Sequence, residues 1–162
     1  LNISCAVECG KGQELKGDDC QPCKPGFVNP IPGAACLPCE PGFFSPGASS
    51  NCSLCPEGTF TNSSATVECV HCPKTGFQPQ LGQVSCLSCG INMEAPFKGS
   101  NHEDHCACKP GTFNSSSGTC LTCPPGASCS GGSAQPLPLE TFWASAEEPL
   151  VFYLCSRSGC GA

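Results

Sequence analysis

Apolar residues along this chain come singly or in pairs and almost never in runs. An aromatic recurs at a near-constant step: Phe27, Phe43 or Phe44, Phe60, Phe77 and Phe113. Each follows a turn signal, as in Lys24-Pro-Gly-Phe27, Glu40-Pro-Gly-Phe43 and Pro56-Glu-Gly-Thr-Phe60, and each precedes a polar stretch. Pro and Gly set a tight turn and the aromatic starts a short extended piece, so the pattern predicts one small hairpin per step. The longest apolar run, Leu150-Val-Phe-Tyr-Leu154, predicts a strand. No segment carries the helical period over a useful length, and 19 Gly with 17 Pro would interrupt one.

Cysteine turns the pattern into a repeat. Cys20-Gln-Pro-Cys23, Cys36-Leu-Pro-Cys39, Cys52-Ser-Leu-Cys55, Cys69-Val-His-Cys72 and Cys86-Leu-Ser-Cys89 start 16, 16, 17 and 17 residues apart. Cys5/Cys9, Cys106/Cys108 and Cys120/Cys123 extend the series less regularly, as array ends do. Cys129, Cys155 and Cys160 stand outside it. Leu, Ile, Val and Phe together are 29 of 162 residues, too few for one conventional core, while 19 are Cys. Order must come from crosslinks rather than burial. The expected fold is small and disulfide-rich, mostly irregular with short β-hairpins, in an elongated tandem-repeat rod. Seven or eight units, each advancing four or five extended residues, would span on the order of 100 Å.

Spacing alone leaves the connectivity open. A hairpin between two Cys clusters brings its ends to the ~5.5 Å Cα separation a disulfide needs. That argument favours a ladder: Cys9–Cys20, Cys23–Cys36, Cys39–Cys52, Cys55–Cys69, Cys72–Cys86, Cys89–Cys106, Cys108–Cys120 and Cys123–Cys129, with Cys155–Cys160 closing the tail. Crossed bridges, both Cys of one pair reaching both of another, are the alternative. Cys5 is left to pair upstream or with another chain. Closing each regular loop is worth about 3 kcal/mol. The expected organisation is a repeat array over 1–129, a Gly/Ser linker over 130–136, and a C-terminal β-containing segment with a Cys pair over 137–162.

The net charge is −6 and scattered, with no basic stripe, so nucleic acid is not an expected partner. No stretch approaches the roughly 18 apolar residues of a membrane span. The chain starts on Leu1 and reads as a processed or partial segment of a longer secreted or surface protein. Four sequons, at Asn2, Asn51, Asn62 and Asn114, predict N-linked glycans and an extracellular setting.

No catalytic residues, cofactor or metal site is expected. The C-x-x-C series would suit zinc in a reducing cell, but the uniform step and the sequons favour bridges. His102-Glu-Asp-His105, the densest set of ligand types, reads as a solvated loop before a bridge. None of His71, His102 and His105 sits in a nucleophile-base arrangement.

The motif Cys-x-x-Cys-x-Pro-Gly-Phe, with variants such as Cys55-Pro-Glu-Gly-Thr-Phe60 and Cys108-Lys-Pro-Gly-Thr-Phe113, resembles the ephrin-receptor-like cysteine-rich repeat over residues 5 to 129. That repeat is akin to modules of tumour-necrosis-factor receptors and epidermal-growth-factor-like domains. The resemblance implies disulfide-bonded rods in extracellular receptors, matrix proteins and protist surface proteins. Departures occur at Cys89-Gly-Ile-Asn-Met-Glu-Ala-Pro-Phe97 and at Cys106-Ala-Cys108. The segment Cys120–Cys129, with Pro138-Leu-Glu-Thr-Phe-Trp143 and Phe152-Tyr-Leu-Cys155, is similar to a closing segment of algal and other protist surface proteins, some of them mastigoneme-like. The expected function is structural: a glycosylated segment of a filament-, matrix- or surface-hair-forming protein, whose partners are its own kind or neighbouring domains. A ligand-binding or spacer ectodomain of a surface receptor is the alternative.

Overall fold

The computed structural model describes residues 7–155, so Asn2, Cys5 and Cys160 lie outside the described residues. Helix is almost absent: among the described residues only the single 3-10 turn Glu103–His105 appears. The described residues otherwise form nine antiparallel two-stranded hairpins, with isolated bridges Val28↔Ser49 and Phe44↔Thr66. Two compact units hold them, one over 7–88 and 97–103 and the other over 89–96 and 104–155.

The first unit contains five hairpins. They are β1 (Gln13–Lys16) with β2 (Asp19–Pro22), β3 (Phe27–Val28) with β4 (Leu37–Pro38), β5 (Phe43–Phe44) with β6 (Ser53–Leu54), β7 (Thr59–Phe60) with β8 (Val70–His71), and β9 (Gly76–Phe77) with β10 (Leu87–Ser88). In the last four the second strand lies between the two Cys of a C-x-x-C pair, while β2 begins one residue earlier and contains Cys20. The first follows the turn, in the register Phe27↔Pro38, Phe43↔Leu54 and Thr59↔His71. An isolated two-stranded hairpin is barely stable in water. Here a disulfide clamps its ends and the next hairpin supplies bonds to its turn.

The second unit contains β11 (Met93–Glu94) with β12 (Ala107–Cys108), β13 (Thr112–Asn114) with β14 (Cys120–Thr122), β15 (Ala127–Ser128) with β16 (Leu137–Pro138), and β17 (Phe142–Trp143) with β18 (Tyr153–Leu154). Residues 130–136 are the loop that joins β15 to β16, so the expected linker is part of a hairpin. The reason is a substituted framework. Pro136-Leu-Pro-Leu139 takes the place of Cys36-Leu-Pro-Cys39, and the Leu139 N–H bonds the Gly126 carbonyl at 2.9 Å as the Cys39 N–H bonds that of Gly26. The array geometry therefore runs on past residue 129 without its cysteines.

What fills the interior is sulphur and buried amide or hydroxyl. Cys9, Cys23, Cys39, Cys55 and Cys72 are all at most 2% exposed. So are Asn29 and Ser45, and Thr61 and Gln78 are also buried. The aromatics do not form a common core: Phe77 and Phe113 are buried, while Phe27, Phe43 and Phe60 are half-exposed.

Candidate interaction surface and modification sites

The bridges are nearest-neighbour. Cys9 joins Cys20, Cys23 joins Cys36, Cys39 joins Cys52, Cys55 joins Cys69 and Cys72 joins Cys86 in the first unit. Cys89 joins Cys106, Cys108 joins Cys120 and Cys123 joins Cys129 in the second. Their Cα separations run from 5.4 to 5.8 Å, the range an S–S bond spans without moving backbone. Cys123–Cys129 differs from the others. It spans only the turn and β15, because Pro136 stands where the hairpin's closing Cys would be. Cys155 is disulfide-bonded, and the Cys160 assigned to it lies outside the described residues.

Each bridge positions backbone groups that the next hairpin uses. Within a hairpin, the N–H of the second Cys of the pair donates to the turn glycine carbonyl: Cys23 to Gly12 at 2.8 Å, Cys39 to Gly26, Cys55 to Gly42 and Cys72 to Gly58 at 2.9 Å. The turn glycine N–H then donates forward, Gly12 to Asn29, Gly26 to Ser45, Gly42 to Thr61 and Gly58 to Gln78, at 2.7 to 2.9 Å. Finally a residue in the following loop donates back to the half-cystine carbonyl: Ala48 to Cys23, Ala65 to Cys39, Gly82 to Cys55 and Gly99 to Cys72, all at 2.8 Å. Ala48 and Ala65 sit at φ of 52° and 55°, a left-handed backbone that an L side chain rarely adopts. The array repeats a backbone contact, not merely a sequence.

One buried polar residue per hairpin makes that contact possible. Asn29 Nδ2 donates to the Gln13 carbonyl at 2.6 Å and the Ala34 carbonyl at 2.7 Å, and its Oδ1 accepts the Ile31 N–H at 3.0 Å. Ser45 accepts from the Gly47 N–H, Thr61 from the Ser63 N–H and Gln78 from the Gln80 N–H. In each case the side chain replaces a backbone partner two residues on and folds the loop back. The sequence reading passed over these four residues as ordinary polar loop. Their constant place two or three residues after the turn glycine is the signal that would have found them.

Groups able to meet a partner lie on the second strands. Leu37, Val70 and Leu87 of the first unit are 50 to 58% exposed, and Leu121, Leu137 and Leu154 of the second are exposed as well. A shallow apolar groove of about 250 Å³ in the first unit is lined by Val28, Pro30, Leu37, Pro38 and Phe43, with Glu40 as its only charge. In the second unit Trp143 and Tyr153 stand opposite each other across β17–β18, ring centroids 5.3 Å apart, both more than 40% exposed.

Titration is perturbed at two groups, the half-exposed Glu14 and the exposed Tyr153. Glu14 is held below the usual carboxylate range. Its Oε2 accepts the Cys36 N–H at 3.2 Å, and the Lys16 ammonium lies 3.1 Å from Oε1. Tyr153 is pushed up because its hydroxyl donates to Glu148 Oε2 at 2.6 Å. Among the described residues no three His, Cys, Asp or Glu side chains converge as metal ligands do. Among the described residues no helix is long and apolar enough to cross a membrane.

The described sequons differ in setting. Asn51 and Asn62 are exposed on loops. Asn114 ends β13, half-buried, with its Oδ1 shielded and unbonded.

Residues 58–106 match the protein family described as tyrosine-protein kinase ephrin type A/B receptor-like. This stretch holds Cys69, Cys72, Cys86, Cys89 and Cys106, the hairpins β7–β8 and β9–β10, and the strand β11. No curated protein matches the chain. The disulfide density and the matched module together point to an extracellular domain.

Proposed function

We propose that the chain is a non-enzymatic, N-glycosylated structural segment of an extracellular protein that assembles into a filament, matrix or surface hair. The observation that carries this is the repeated set of backbone bonds between successive hairpins in the first unit. The same atoms make the same contacts at four steps. Such a lattice resists extension because every step is crosslinked by sulphur and fixed by backbone, with little dependence on a hydrophobic core. The exposed aliphatic residues on the second strands, Leu37, Val70 and Leu87, supply the apolar contact for a neighbouring copy. Glycans on the exposed loops at Asn51 and Asn62 would confine assembly to the faces they leave bare.

Electron microscopy of native material tests the reading. Ordered filaments or sheets carrying the chain support it, and dispersed monomers alone overturn it.

A receptor ectodomain is the second reading, supported by the receptor-like family matched at 58–106 and by the groove around Leu37 and Phe43. It predicts a soluble partner that binds the isolated monomer and is lost on Leu37→Asp.

A further inference from the structure

The tip of the hairpin β13–β14 carries an unusual combination. Asn114-Ser-Ser116 is a sequon, and beside it the second unit holds a cavity of about 420 Å³. Three loops build that cavity: the tip itself, Gln135-Pro136 from the loop before β16, and Pro149-Leu150 from the loop before β18. Its walls are apolar at Phe113, Leu121, Pro136 and Leu150, and polar along the edge where Asn114 and Ser116 sit.

The Asn114 side chain lines this space, and its Oδ1 is buried and accepts no hydrogen bond. The backbone around it is fixed: Asn114 pairs with Cys120 across the hairpin, and the Ser115 N–H donates to the Thr119 carbonyl at 2.9 Å. Cys120 is held in turn by its bridge to Cys108. Ser116, the sequon hydroxyl, is exposed at the same rim. The sequons at Asn51 and Asn62 lie on exposed loops, where a sugar would project into water.

The geometry points to a glycan whose first sugar is seated in the cavity. The site takes an N-acetylhexosamine on Asn114 Nδ2, with one face of the ring against Leu121, Pro136 and Leu150 and its hydroxyl rim toward Gln135 and solvent. This deepens, and rests on, the reading of the chain as an N-glycosylated extracellular protein. A pyranose ring presents C–H groups on its face and hydroxyls at its edge, which matches apolar walls with a polar rim. The cavity lies within the size range of small-molecule sites, about 300 to 1,000 Å³. Covalent attachment gives the sugar a high effective concentration, so contacts too weak to hold a free sugar suffice here.

Attachment needs a lipid-diphosphate-linked oligosaccharide as co-reactant. Nδ2 forms the bond to the anomeric carbon and loses one proton. The bond from that carbon to the diphosphate breaks, and the lipid diphosphate leaves. This takes place on the chain before or as the hairpin closes, and folding then brings the loops 130–136 and 144–152 over the sugar. The glycan would thereby join three hairpins that no disulfide connects at this point. A glycosylated second unit is more stable than a bare one, because the seated sugar interacts with the folded state alone.

The test uses the full chain secreted from a glycosylating eukaryotic cell. Site occupancy is read by mass spectrometry, and glycan release by an N-glycan amidase is timed at each site, native and after reduction and denaturation. The expected result is an occupied Asn114 released many-fold more slowly in the native protein than after denaturation, with Asn62 released at similar rates in both. Leu150→Ala, which keeps the sequon and opens one wall, should bring native release at Asn114 close to the denatured rate. Trimming every glycan to its first sugar should preserve the melting temperature read by Trp143 fluorescence, and Ser116→Ala should lower it.

Equal native and denatured release at Asn114 would overturn the proposal. So would a bare Asn114 beside an occupied Asn51 or Asn62, which leaves the broader glycosylation reading intact. Bare asparagine at all four sequons, Asn2 included, would remove both.

Discussion

The carbonyl oxygen of Ala65 rests against the Cα of Gly26, two hairpins earlier in the chain. A Cβ on Gly26 would overlap that oxygen, and Gly26 also has a φ of 83°. The same relation joins Gly12 to Ala48, Gly42 to Gly82 and Gly58 to Gly99. Turn glycine in this array is therefore a contact surface as well as a turn-former.

Gly26→Ala should accordingly cost roughly 2 to 5 kcal/mol, the sum of a left-handed backbone penalty and a steric overlap with rigid backbone. Gly17→Ala is the control. It has a comparable φ of 66° but nothing within 4 Å of the added methyl, so only the backbone term of about 1 kcal/mol should appear. Denaturant midpoints of the two variants check this. Equal losses would show that the Ala65 contact contributes nothing.

Asn29→Ala should be among the more damaging polar substitutions. Asn29 is fully buried, and its loss strands two carbonyls, of Gln13 and Ala34, and the Ile31 N–H. Unsatisfied buried groups cost about 1 to 3 kcal/mol each, partly relieved here by water entry at the loop surface. Hydrogen exchange provides a local readout. The Ile31 amide should lose protection in the variant, while the Cys72 amide, bonded to Gly58 two hairpins on, should keep it.

Much of this architecture is legible in the sequence, for physical reasons that also mark where legibility ends. The second hairpin is readable because Pro25-Gly26-Phe27 states a turn and a strand, and Cys36-Leu-Pro-Cys39 states where the return strand must be tied. The eighth hairpin hides because Pro136-Leu-Pro-Leu139 lacks the sulphur that marks the other return strands, although Leu137-Pro138 repeats Leu37-Pro38. Ala48 and Ala65 carry no signature of a left-handed turn. Their backbone is imposed by the carbonyls of Cys23 and Cys39, which lie in the preceding hairpin. The cavity beside Asn114 depends on loops 21 and 35 positions away, at Gln135 and Pro149 by the sequence numbering, so no local pattern around the sequon announces it.

Removing one bridge should open one step and spare the rest. Cys55→Ala with Cys69→Ala deletes the bridge spanning 14 positions around β7–β8. Its chain-entropy contribution is about 3 kcal/mol. The forward bonds from Gly42 to Thr61 and from Gly58 to Gln78 flank that hairpin and should weaken with it. Peptide-resolved hydrogen exchange should show faster exchange over 56–72 with little change over 9–23. Uniform acceleration across the first unit would mean that it unfolds as one cooperative block, against the stepwise behaviour expected of a nearest-neighbour array.

Tyr153 is the only tyrosine in the chain, so alkaline absorbance titration reports on it alone. Its hydroxyl donates to Glu148, and ionisation would set phenolate against carboxylate, so the folded pKa is raised. A group with a raised folded pKa contributes stability that is fully present below its unfolded pKa, about 10, and lost as pH rises through the folded value. The midpoint should therefore lie above that of the unfolded chain, and the β17–β18 hairpin should loosen only at alkaline pH. Trp143, the only tryptophan, faces Tyr153 across the strands, so its fluorescence should change over the same interval. Glu148→Gln removes the negative charge and should move the midpoint back toward 10, with the Trp143 signal following. The pair is solvent-exposed, so salt should shrink the charge contribution while leaving the hydrogen bond. A midpoint unchanged by Glu148→Gln would mean that the contact is not kept in solution.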